Sequence, residues 1–327
     1  MRTSDLGKSE VSVSAIGLGG WEMRGGDEAA GDPTLQRLRE VIDAALEEGV
    51  DWLDTSEGYY DGGNETVIGR ALETREIQLA SKVAPDASGF RPDQVHAACR
   101  ASLRRLRRDH LDAYFLHYPD DENGVPLLET WGAMAELVQQ GLVRAIGLSN
   151  YTMDQIESAH AERAVDVVQQ GLSMIDHLDE RETIARCAEL GIGAVTYEPM
   201  AGGALTGAVG PDTDFETVWE EGITQWPFFQ RLLVPGKIEK SMAVLAGVRD
   251  IAERLDATPG QMAIAWVLAQ PGVTAAIAGS TNPAHVRQNA QAASLELTYE
   301  SLAELEDLIP LGPTWQPLGQ DPYRSES

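Results

Sequence analysis

The strongest constraint on the fold of this chain is a regular alternation of short apolar runs with helical patterns, between about residues 13 and 290. The helical patterns repeat apolar residues near every 3.6 positions, and the short runs are typical of buried strands. Strands that alternate with helices predict a parallel sheet. Eight strand–helix units favour a closed (β/α)8 barrel over an open, doubly wound sheet. The predicted strands span residues 13–18, 50–54, 77–82, 111–117, 142–148, 165–169, 194–197 and 274–278.

Glycine and proline positions support this order of elements. Gly49, Gly141 and Gly191 each follow a helical pattern, where a left-handed residue would end a helix, and Pro259 is placed for the first turn of another. Residues 207–238 interrupt the alternation and predict a long loop after the seventh strand, while residues 310–327 predict an irregular tail. We expect residues 1–327 to form one barrel domain. Helices are predicted near residues 34–48, 64–72, 92–107, 127–139, 152–161, 180–189, 239–255, 261–268, 284–291 and 300–308.

The charge of the chain excludes several classes of partner. It has 52 acidic and 25 basic residues and a formal net charge of −27, and such a surface repels nucleic acids and anionic membranes. No apolar stretch is long enough to cross a bilayer, and the first residues lack the apolar segment of a signal peptide. The two cysteines lie in separate helical patterns, and no Cys/His cluster has metal-ligand spacing. We therefore expect a cytoplasmic protein without a metal site, and its oligomeric state is left open.

Four polar residues lie at or just after the ends of predicted strands. Asp54, Lys82 and His117 each close an apolar run, and Tyr59 follows Asp54 in the next loop. Because the strands of such a barrel end at one rim, we expect all four to meet there. A phenol has a pKa near 10, and a neighbouring ammonium lowers it. We therefore expect Tyr59 to act as a general acid, Lys82 to lower its pKa and Asp54 to hold Lys82. His117 would orient or polarise a substrate oxygen.

Each of these residues alone has an ordinary structural explanation. A strand-end Asp is commonly a cap or half of a salt bridge, and a His after an apolar strand is commonly a hydrogen-bonded core group. The four together favour an active site. None is a strong nucleophile, whereas a nicotinamide would supply a hydride. A hydrolase built on two carboxylates would recruit Asp120 or Glu198 as its second acid, but it leaves Lys82 and Tyr59 without a role.

Five segments of the chain carry a resemblance to a known family. They read WLDTSEGY at 52–59, NETVIGRAL at 64–72, LHYPD at 116–120, VRAIGLSN at 143–150 and AGST at 278–281. Through them the chain resembles the aldo-keto reductases over nearly its whole length. The resemblance implies a (β/α)8 barrel without a Rossmann glycine motif, and no G-x-G-x-x-G motif occurs in the chain. It also implies hydride transfer from nicotinamide C4 to a carbonyl carbon, with Tyr59 protonating the oxygen.

The resemblance further implies where a nicotinamide cofactor binds. Residues after the fifth and sixth strands would reach the carboxamide, and Tyr197 would stack on the nicotinamide ring. The backbone after the seventh strand would line the pyrophosphate, and the loop after the last strand would hold the adenosine end. NADP(H) is the expected cofactor, with NAD(H) as the open alternative. The implied cofactor-binding residues are Gly20, Trp21, Asp54, Ser149, Asn150, Gln169, Tyr197, Pro199, Met200, Gly202, Leu205, Gly279, Ser280, Thr281, His285, Gln288 and Asn289.

The last cofactor loop departs from the family pattern. NADPH-dependent members usually place Lys or Arg near the 2′-phosphate, whereas this chain has Gly279, Thr281 and His285 at the matching positions. Arg287 is the one full cation nearby in the sequence. Because few side chains near this loop could bind a phosphate through two hydrogen bonds, NAD(H) stays open as the alternative cofactor. Glu198 also stands where the family has a small residue, and we expect its carboxylate to turn away from the pyrophosphate or to pair with a cation.

Aromatic residues predict an apolar substrate pocket for an aldehyde or a ketone. The predicted function is therefore the NAD(P)(H)-dependent interconversion of a small-molecule carbonyl compound and its alcohol. Two alternatives stay open: an NAD-dependent sugar dehydrogenase, and a cofactor-binding regulatory subunit on the same barrel, as in the potassium-channel β subunits. The candidate pocket residues are Trp21, Tyr60, Tyr118, Trp226, Phe228 and Phe229.

Overall fold

The computed structural model describes residues 1–24, 33–120, 124–175, 178–214 and 236–309. Within these ranges eight parallel strands close into a barrel, and helices lie outside it. This architecture confirms the predicted (β/α)8 barrel. An N-terminal hairpin of β1 (Thr3–Asp5) and β2 (Ser12–Ser14) precedes the barrel strands. These are β3 (Ile16–Gly19), β4 (Trp52–Asp54), β5 (Gln78–Val83), β6 (Leu111–Leu116), β7 (Val143–Ser149), β8 (Val167–Gly171), β9 (Gly193–Tyr197) and β10 (Ala275–Gly279).

Helices lie between the barrel strands at the predicted places. Gly49, Gly141 and Gly191 adopt φ angles of 79°, 71° and 75°, which glycine reaches without strain, and they end helices as expected. Pro259 begins a helix that Thr258 caps by accepting a backbone hydrogen bond at 3.2 Å. The helices are α1 (Pro33–Glu47), α2 (Gly63–Leu72), α3 (Pro92–Leu106), α4 (Leu127–Gln139), α5 (Met153–Glu162), α6 (Leu178–Leu190), α7 (Lys237–Arg254), α8 (Pro259–Leu268), α9 (Pro283–Gln291) and α10 (Tyr299–Leu308).

The barrel closes where β10 pairs with β3. In the register of the strands, Gly19 lies opposite Asp54, and Asp54 lies opposite Ala80. Lys82 is two residues beyond Ala80, opposite Phe115 on β6. Residues two apart on a strand point to the same face, so Lys82 extends over the end of β4 from the neighbouring strand.

The alternation of inner and outer faces along each strand selects the side chains that reach the rim. Trp52 packs in the inner cluster of the barrel, so Asp54, two residues later, points to the same side. Ala80 is also an inner residue, and Lys82 follows it with the same spacing. The other predicted rim residues also lie an even number of positions after an inner residue of the same strand, so they point to the same side. These residues are His117, Ser149, Gln169, Tyr197 and Gly279.

The N-terminal hairpin fills the opposite end of the barrel. Leu6 and Val13 belong to the inner cluster, and the hairpin turn lies against Gly193, the first residue of β9. Apolar side chains therefore close the amino-terminal end of the barrel. A ligand can approach the inner residues from the carboxyl ends of the strands.

Most predicted boundaries lie within two residues of the observed ones, and two of the differences change the description of the fold. The first predicted strand, residues 13–18, is divided at Ser14, whose N–H donates to Asp51 Oδ1 and whose hydroxyl donates to Ile16 O, both at 2.7 Å. The helix predicted from residue 239 begins at Lys237, so the predicted loop 207–238 ends earlier. Residues 215–235 of that loop and the predicted tail lie outside the described residues. Among the helices that the structure describes, none has the length and apolarity to cross a membrane.

Candidate active site

A buried ion pair lies at the carboxyl ends of β4 and β5. Lys82 Nζ donates to Asp54 Oδ2 at 2.6 Å, and both side chains are almost fully shielded from solvent. The same ammonium donates to Thr55 O at 2.8 Å and lies 3.4 Å from the hydroxyl oxygen of Tyr59. Three of the four residues expected to meet at the rim are therefore joined around one ammonium group.

Gln169 completes the surroundings of Asp54. Its Nε2 donates to Asp54 Oδ1 at 2.9 Å, so each carboxylate oxygen has its own partner. Burial lowers the pKa of Lys82, and the charge of Asp54 opposes this shift. The carboxylate is thus the group that makes a buried ammonium tolerable at this position.

The pKa of Tyr59 differs from the sequence-based expectation. Burial raises this pKa well above its ordinary value of 10.0, and the negative charges of Asp54 and Glu198 raise it further. The predicted fall in the pKa is wrong, because desolvation of the phenolate and the nearby carboxylates raise it. Tyr59 consequently holds its proton at neutral pH, as a general acid must.

His117 meets Tyr59 edge to face. The ring centroids are 5.6 Å apart, with an interplanar angle of 74°. Burial, followed by the positive charge of Lys82, lowers the pKa of His117 well below its ordinary value of 6.5. The imidazole is therefore neutral near pH 7. Its Nδ1 lies 3.1 Å from Ser56 Oγ, while Nε2 has no hydrogen-bond partner among the described residues.

Asn150 connects the carboxyl ends of β6, β7 and β9. Its Nδ2 donates to His117 O at 3.0 Å and to Ser149 Oγ at 3.1 Å. Its Oδ1 accepts a hydrogen bond from the Tyr197 hydroxyl at 2.6 Å. Asn150 has a φ of 65°, a left-handed conformation that Asn adopts more readily than most residues. Thr152, and not Asn150, caps α5, so these contacts are what Asn150 contributes here.

Gly20 lies where the end of β3 meets the end of β4. Its N–H donates to Asp54 O at 2.8 Å, and a Cβ at this position would lie 2.7 Å from the same oxygen. Asn64 Nδ2 donates to Gly20 O at 2.7 Å. Glycine is therefore required for the close approach of two backbones beside Asp54. Trp21 continues the rim and is half-buried.

The segment after β9 forms a tight turn at the rim. Pro199 and Leu205 are buried, whereas Met200 and Gly202 are partly exposed. Gly202 and Gly203 have φ angles of 58° and 90°, a left-handed pair that glycine adopts without strain. The turn keeps backbone, and no bulky side chain, at two successive positions of the rim.

One carboxylate oxygen of Glu22 is buried between the ends of β3 and β10. Within the described part of the chain, Glu22 Oε2 is buried and has no hydrogen-bond partner. A Cβ at Gly279 would lie 2.9 Å from this oxygen, so the carboxylate occupies space that a side chain at position 279 would need. Burial raises the pKa of Glu22 to about 7, against the charge of Arg24. An unpaired buried acceptor is costly, and a ligand that carries hydroxyl groups, such as a ribose, would satisfy it.

The loop after β10 is contacted by a cation from α1. Arg37 Nε donates to Thr281 O at 3.0 Å, and its side chain is half exposed. Arg287, the cation that is nearby in the sequence, is paired instead: its Nη2 lies 2.5 Å from Glu47 Oε2. The loop itself has no Lys or Arg at the positions that match the family pattern, and Arg37 of α1 brings a cation to it from a distant part of the chain.

The remaining predicted residues of this loop have different surroundings. Ser280 Oγ accepts a hydrogen bond from Asn282 N at 3.1 Å, and Asn282 caps α9. His285 and Gln288 are exposed on the first turns of α9, and Asn289 is buried. The N-terminus of α9, where backbone N–H groups favour anions, thus lies directly after the strand end at Gly279.

Two predicted pocket aromatics are held by polar contacts. Tyr60 accepts a hydrogen bond from Arg24 Nη1 at 3.1 Å. The Tyr118 hydroxyl donates to Asp86, and the Tyr118 ring centroid lies 5.1 Å from that of His117. The Tyr118 ring therefore lies beside His117, and Tyr60 directly follows Tyr59 in the chain. The other predicted pocket aromatics lie outside the described residues: Trp226, Phe228 and Phe229.

Three side chains at the site were missed by sequence reasoning. Ser56 lies between Asp54 and Tyr59, and its place in the strand-end segment was a signal that could have identified it. Glu22 and Arg37 carried no comparable signal, because Glu22 lies near the end of β10, and Arg37 contacts the loop after it, from distant parts of the chain. No group of His, Cys, Asp and Glu residues within the described ranges is arranged to hold a metal ion.

Comparisons with known proteins show the family of the chain. The model of the Aldo/keto reductase family matches residues 15–310. A relative from Glycine max, named probable aldo-keto reductase 1, is 31% identical over 318 residues, which cover 94% of this chain and 88% of the relative.

Solved structures are similar over almost the whole chain. An aldo/keto reductase from Klebsiella pneumoniae, determined in complex with NADP and acetate, is 30% identical with a TM-score of 0.73, and the match covers 95% of this chain and 96% of that one. An aldo-keto reductase from Bacillus halodurans, determined in its holo form, is 26% identical with a TM-score of 0.75, covering 95% and 97%.

Proposed function

The chain belongs to the aldo/keto reductase family, and we propose that it interconverts a small aldehyde or ketone and its alcohol with NADP(H), Tyr59 exchanging the proton. The observation that carries the proposal is the position of Lys82 Nζ, 2.6 Å from Asp54 Oδ2 and 3.4 Å from the Tyr59 hydroxyl. A buried ammonium in contact with a phenol stabilises the phenolate that forms when the phenol loses its proton. NAD(H) stays the alternative cofactor.

The rim fits a nicotinamide dinucleotide. The unpaired Glu22 Oε2 can accept a hydrogen bond from a ribose hydroxyl, and Arg37 brings positive charge to the loop after β10. When bound, the cofactor supplies the hydride that no protein side chain can supply. The Klebsiella pneumoniae relative was determined with NADP, which supports NADP(H) for this chain.

The nicotinamide end has polar groups available. Gln169 uses its Nε2 to hold Asp54, which leaves its Oε1 to accept a carboxamide N–H. Asn150 fixes the Tyr197 hydroxyl at 2.6 Å, so the Tyr197 ring is held in position for stacking on the nicotinamide. We propose that the other residues implied by the resemblance also contact the cofactor, Ser149 and Asn289 among them.

Tyr59 is the proton donor in the reducing direction. As negative charge develops on the carbonyl oxygen, that oxygen becomes a stronger base than a phenolate and takes the hydroxyl proton of Tyr59. Lys82 stabilises the resulting phenolate across 3.4 Å, and this attraction is strong where solvent is excluded. Asp54 acts through Lys82, by holding the ammonium in place.

His117 orients the carbonyl oxygen. Its imidazole is neutral because burial lowers its pKa, so one ring nitrogen can donate a hydrogen bond without adding a full positive charge. Nε2 has no partner among the described side chains, whereas Nδ1 faces Ser56. Donation from Nε2 would keep the carbonyl oxygen close to the Tyr59 hydroxyl.

Turnover by the purified full-length chain tests the proposal. NADPH and NADH would each be titrated by fluorescence, and oxidation of the bound cofactor would then be followed with a panel of apolar and sugar-like aldehydes and ketones. We expect saturable NADPH binding and carbonyl-dependent oxidation of NADPH. Tight binding without turnover of any carbonyl or alcohol would contradict the proposal and favour a regulatory role.

A further inference from the structure

Ser56 is a buried hydroxyl in contact with His117. It lies between Asp54 and Tyr59, and no solvent reaches it. Ser56 Oγ accepts a hydrogen bond from Gly58 N at 3.1 Å. It also lies 3.1 Å from His117 Nδ1 and 3.5 Å from Lys82 O.

The single proton of this hydroxyl has two possible acceptors. Donation to Lys82 O would use a contact of 3.5 Å, which is at the limit for a hydrogen bond, whereas donation to His117 Nδ1 uses one of 3.1 Å. Lys82 O already accepts a hydrogen bond from Glu57 N at 3.2 Å, whereas Nδ1 has Ser56 as its partner, so the hydroxyl proton of Ser56 is assigned to the contact with Nδ1. A neutral imidazole has one N–H and one acceptor nitrogen. If Nδ1 accepts, the imidazole proton is on Nε2.

We propose that Ser56 is a positioning residue that holds His117 in the tautomer with the proton on Nε2. Nδ1 and Nε2 lie on opposite sides of the ring, so a ring anchored at Nδ1 presents Nε2–H to the carbonyl oxygen of the substrate. Without Ser56, the two tautomers compete, and the one protonated on Nδ1 presents a lone pair that repels the carbonyl oxygen. The effect of Ser56 on catalysis rests on the proposed carbonyl reduction, whereas the tautomer of His117 does not depend on it.

Nitrogen NMR of the histidine side chains in the full-length protein tests the tautomer directly. The chain has six histidines, and His117→Gln identifies the signals of His117 by their loss. In the wild type we expect Nδ1 in the range of an unprotonated nitrogen and Nε2 in the range of a protonated one. In Ser56→Ala both signals should move towards intermediate positions, and Ser56→Thr, which keeps a hydroxyl, should restore them.

Kinetics supply the second readout. We expect Ser56→Ala to lower kcat/KM for carbonyl reduction about tenfold, as for the loss of one neutral hydrogen bond, with the Kd for NADPH unchanged. The matched control is Ser81→Ala on β5, which removes another buried hydroxyl, one that donates to Glu65 Oε1 at 2.5 Å and does not touch His117. Ser81→Ala should leave the His117 signals where they are.

A wild-type proton on Nδ1, or His117 signals that do not change in Ser56→Ala, would overturn the inference. The wild-type spectrum alone can do so, even if the alanine variant fails to fold. The expected spectra without turnover of any carbonyl would overturn the proposed function and still support Ser56 as the group that sets the tautomer.

Discussion

Lys82 Nζ and Asp54 Oδ2 lie 2.6 Å apart in a region that excludes solvent. Removal of the carboxylate leaves an unpaired ammonium that burial already disfavours. We expect Asp54→Asn to lower the free energy of unfolding by about 3 kcal/mol or more, as for a broken buried ion pair, and to lower kcat as well. Urea denaturation and steady-state kinetics measure the two effects.

The matched control for Asp54→Asn is Asp43→Asn. Asp43 Oδ1 lies 2.5 Å from Arg75 Nε, but its side chain is 46% exposed. A surface ion pair of this kind contributes about 1 kcal/mol or less. Equal losses of stability in the two variants would contradict the importance given to burial at Asp54.

Tyr59→Phe removes the proposed proton donor and keeps the ring. We expect kcat for carbonyl reduction to fall by about 10²–10⁴-fold, the usual contribution of general acid catalysis, while NADPH still binds. Lys82→Met should behave in the same way. Tyr60→Phe is the control, because Tyr60 is the neighbouring phenol and accepts from Arg24; it should change KM at most. Full turnover by Tyr59→Phe would eliminate the assigned role.

The two directions of the reaction should respond differently to pH. Burial raises the pKa of Tyr59 well above 10.0, and burial lowers the pKa of His117 well below 6.5. With saturating NADPH, kcat for reduction should therefore be level between about pH 6.5 and 9, since the phenol stays protonated and the imidazole neutral. Alcohol oxidation needs the scarce phenolate and should rise about tenfold per pH unit. A reduction rate that titrates near neutrality would contradict this account.

Glu22 should make stability fall as pH rises. Its pKa is about 7 in the folded chain and 4.5 ordinarily, so between these values the folded state holds a proton that the unfolded state has lost. The free energy of unfolding then decreases through this window, by about 3 kcal/mol in total, and levels above it. Glu22→Gln should remove this slope, whereas Glu22→Asp should keep it. Chemical denaturation at a series of pH values tests the prediction, and an unchanged slope in Glu22→Gln would refute it.

Arg37 should discriminate between the two dinucleotides. Its guanidinium contacts the loop after β10 at Thr281 O. We expect Arg37→Gln to weaken NADPH binding about tenfold by loss of a charge-assisted contact and to leave NADH binding unchanged. Arg287→Gln is the control, since Arg287 is paired with Glu47. Equal weakening of both cofactors in Arg37→Gln would show that Arg37 only supports the loop.

The fold and the central residues of the candidate site followed from local sequence pattern. Alternating strands and helices specify a parallel barrel, and the ends of its strands are visible where an apolar run stops at a polar residue, as at Asp54 and His117. Inner and outer faces alternate every residue along a strand. A polar residue in phase with inner apolar ones, such as Lys82 after Ala80, must therefore reach the rim.

Only the tertiary structure decided which groups meet across the rim. The approach of Glu22 to Gly279, the contact of Arg37 with Thr281 and that of Ser56 with His117 each join segments far apart in the chain. The direction of the pKa shift of Tyr59 was predicted wrongly from the sequence for the same reason. A pKa depends on how deeply a group is buried and on which charges lie within a few ångströms, and those quantities exist only after distant segments have packed together.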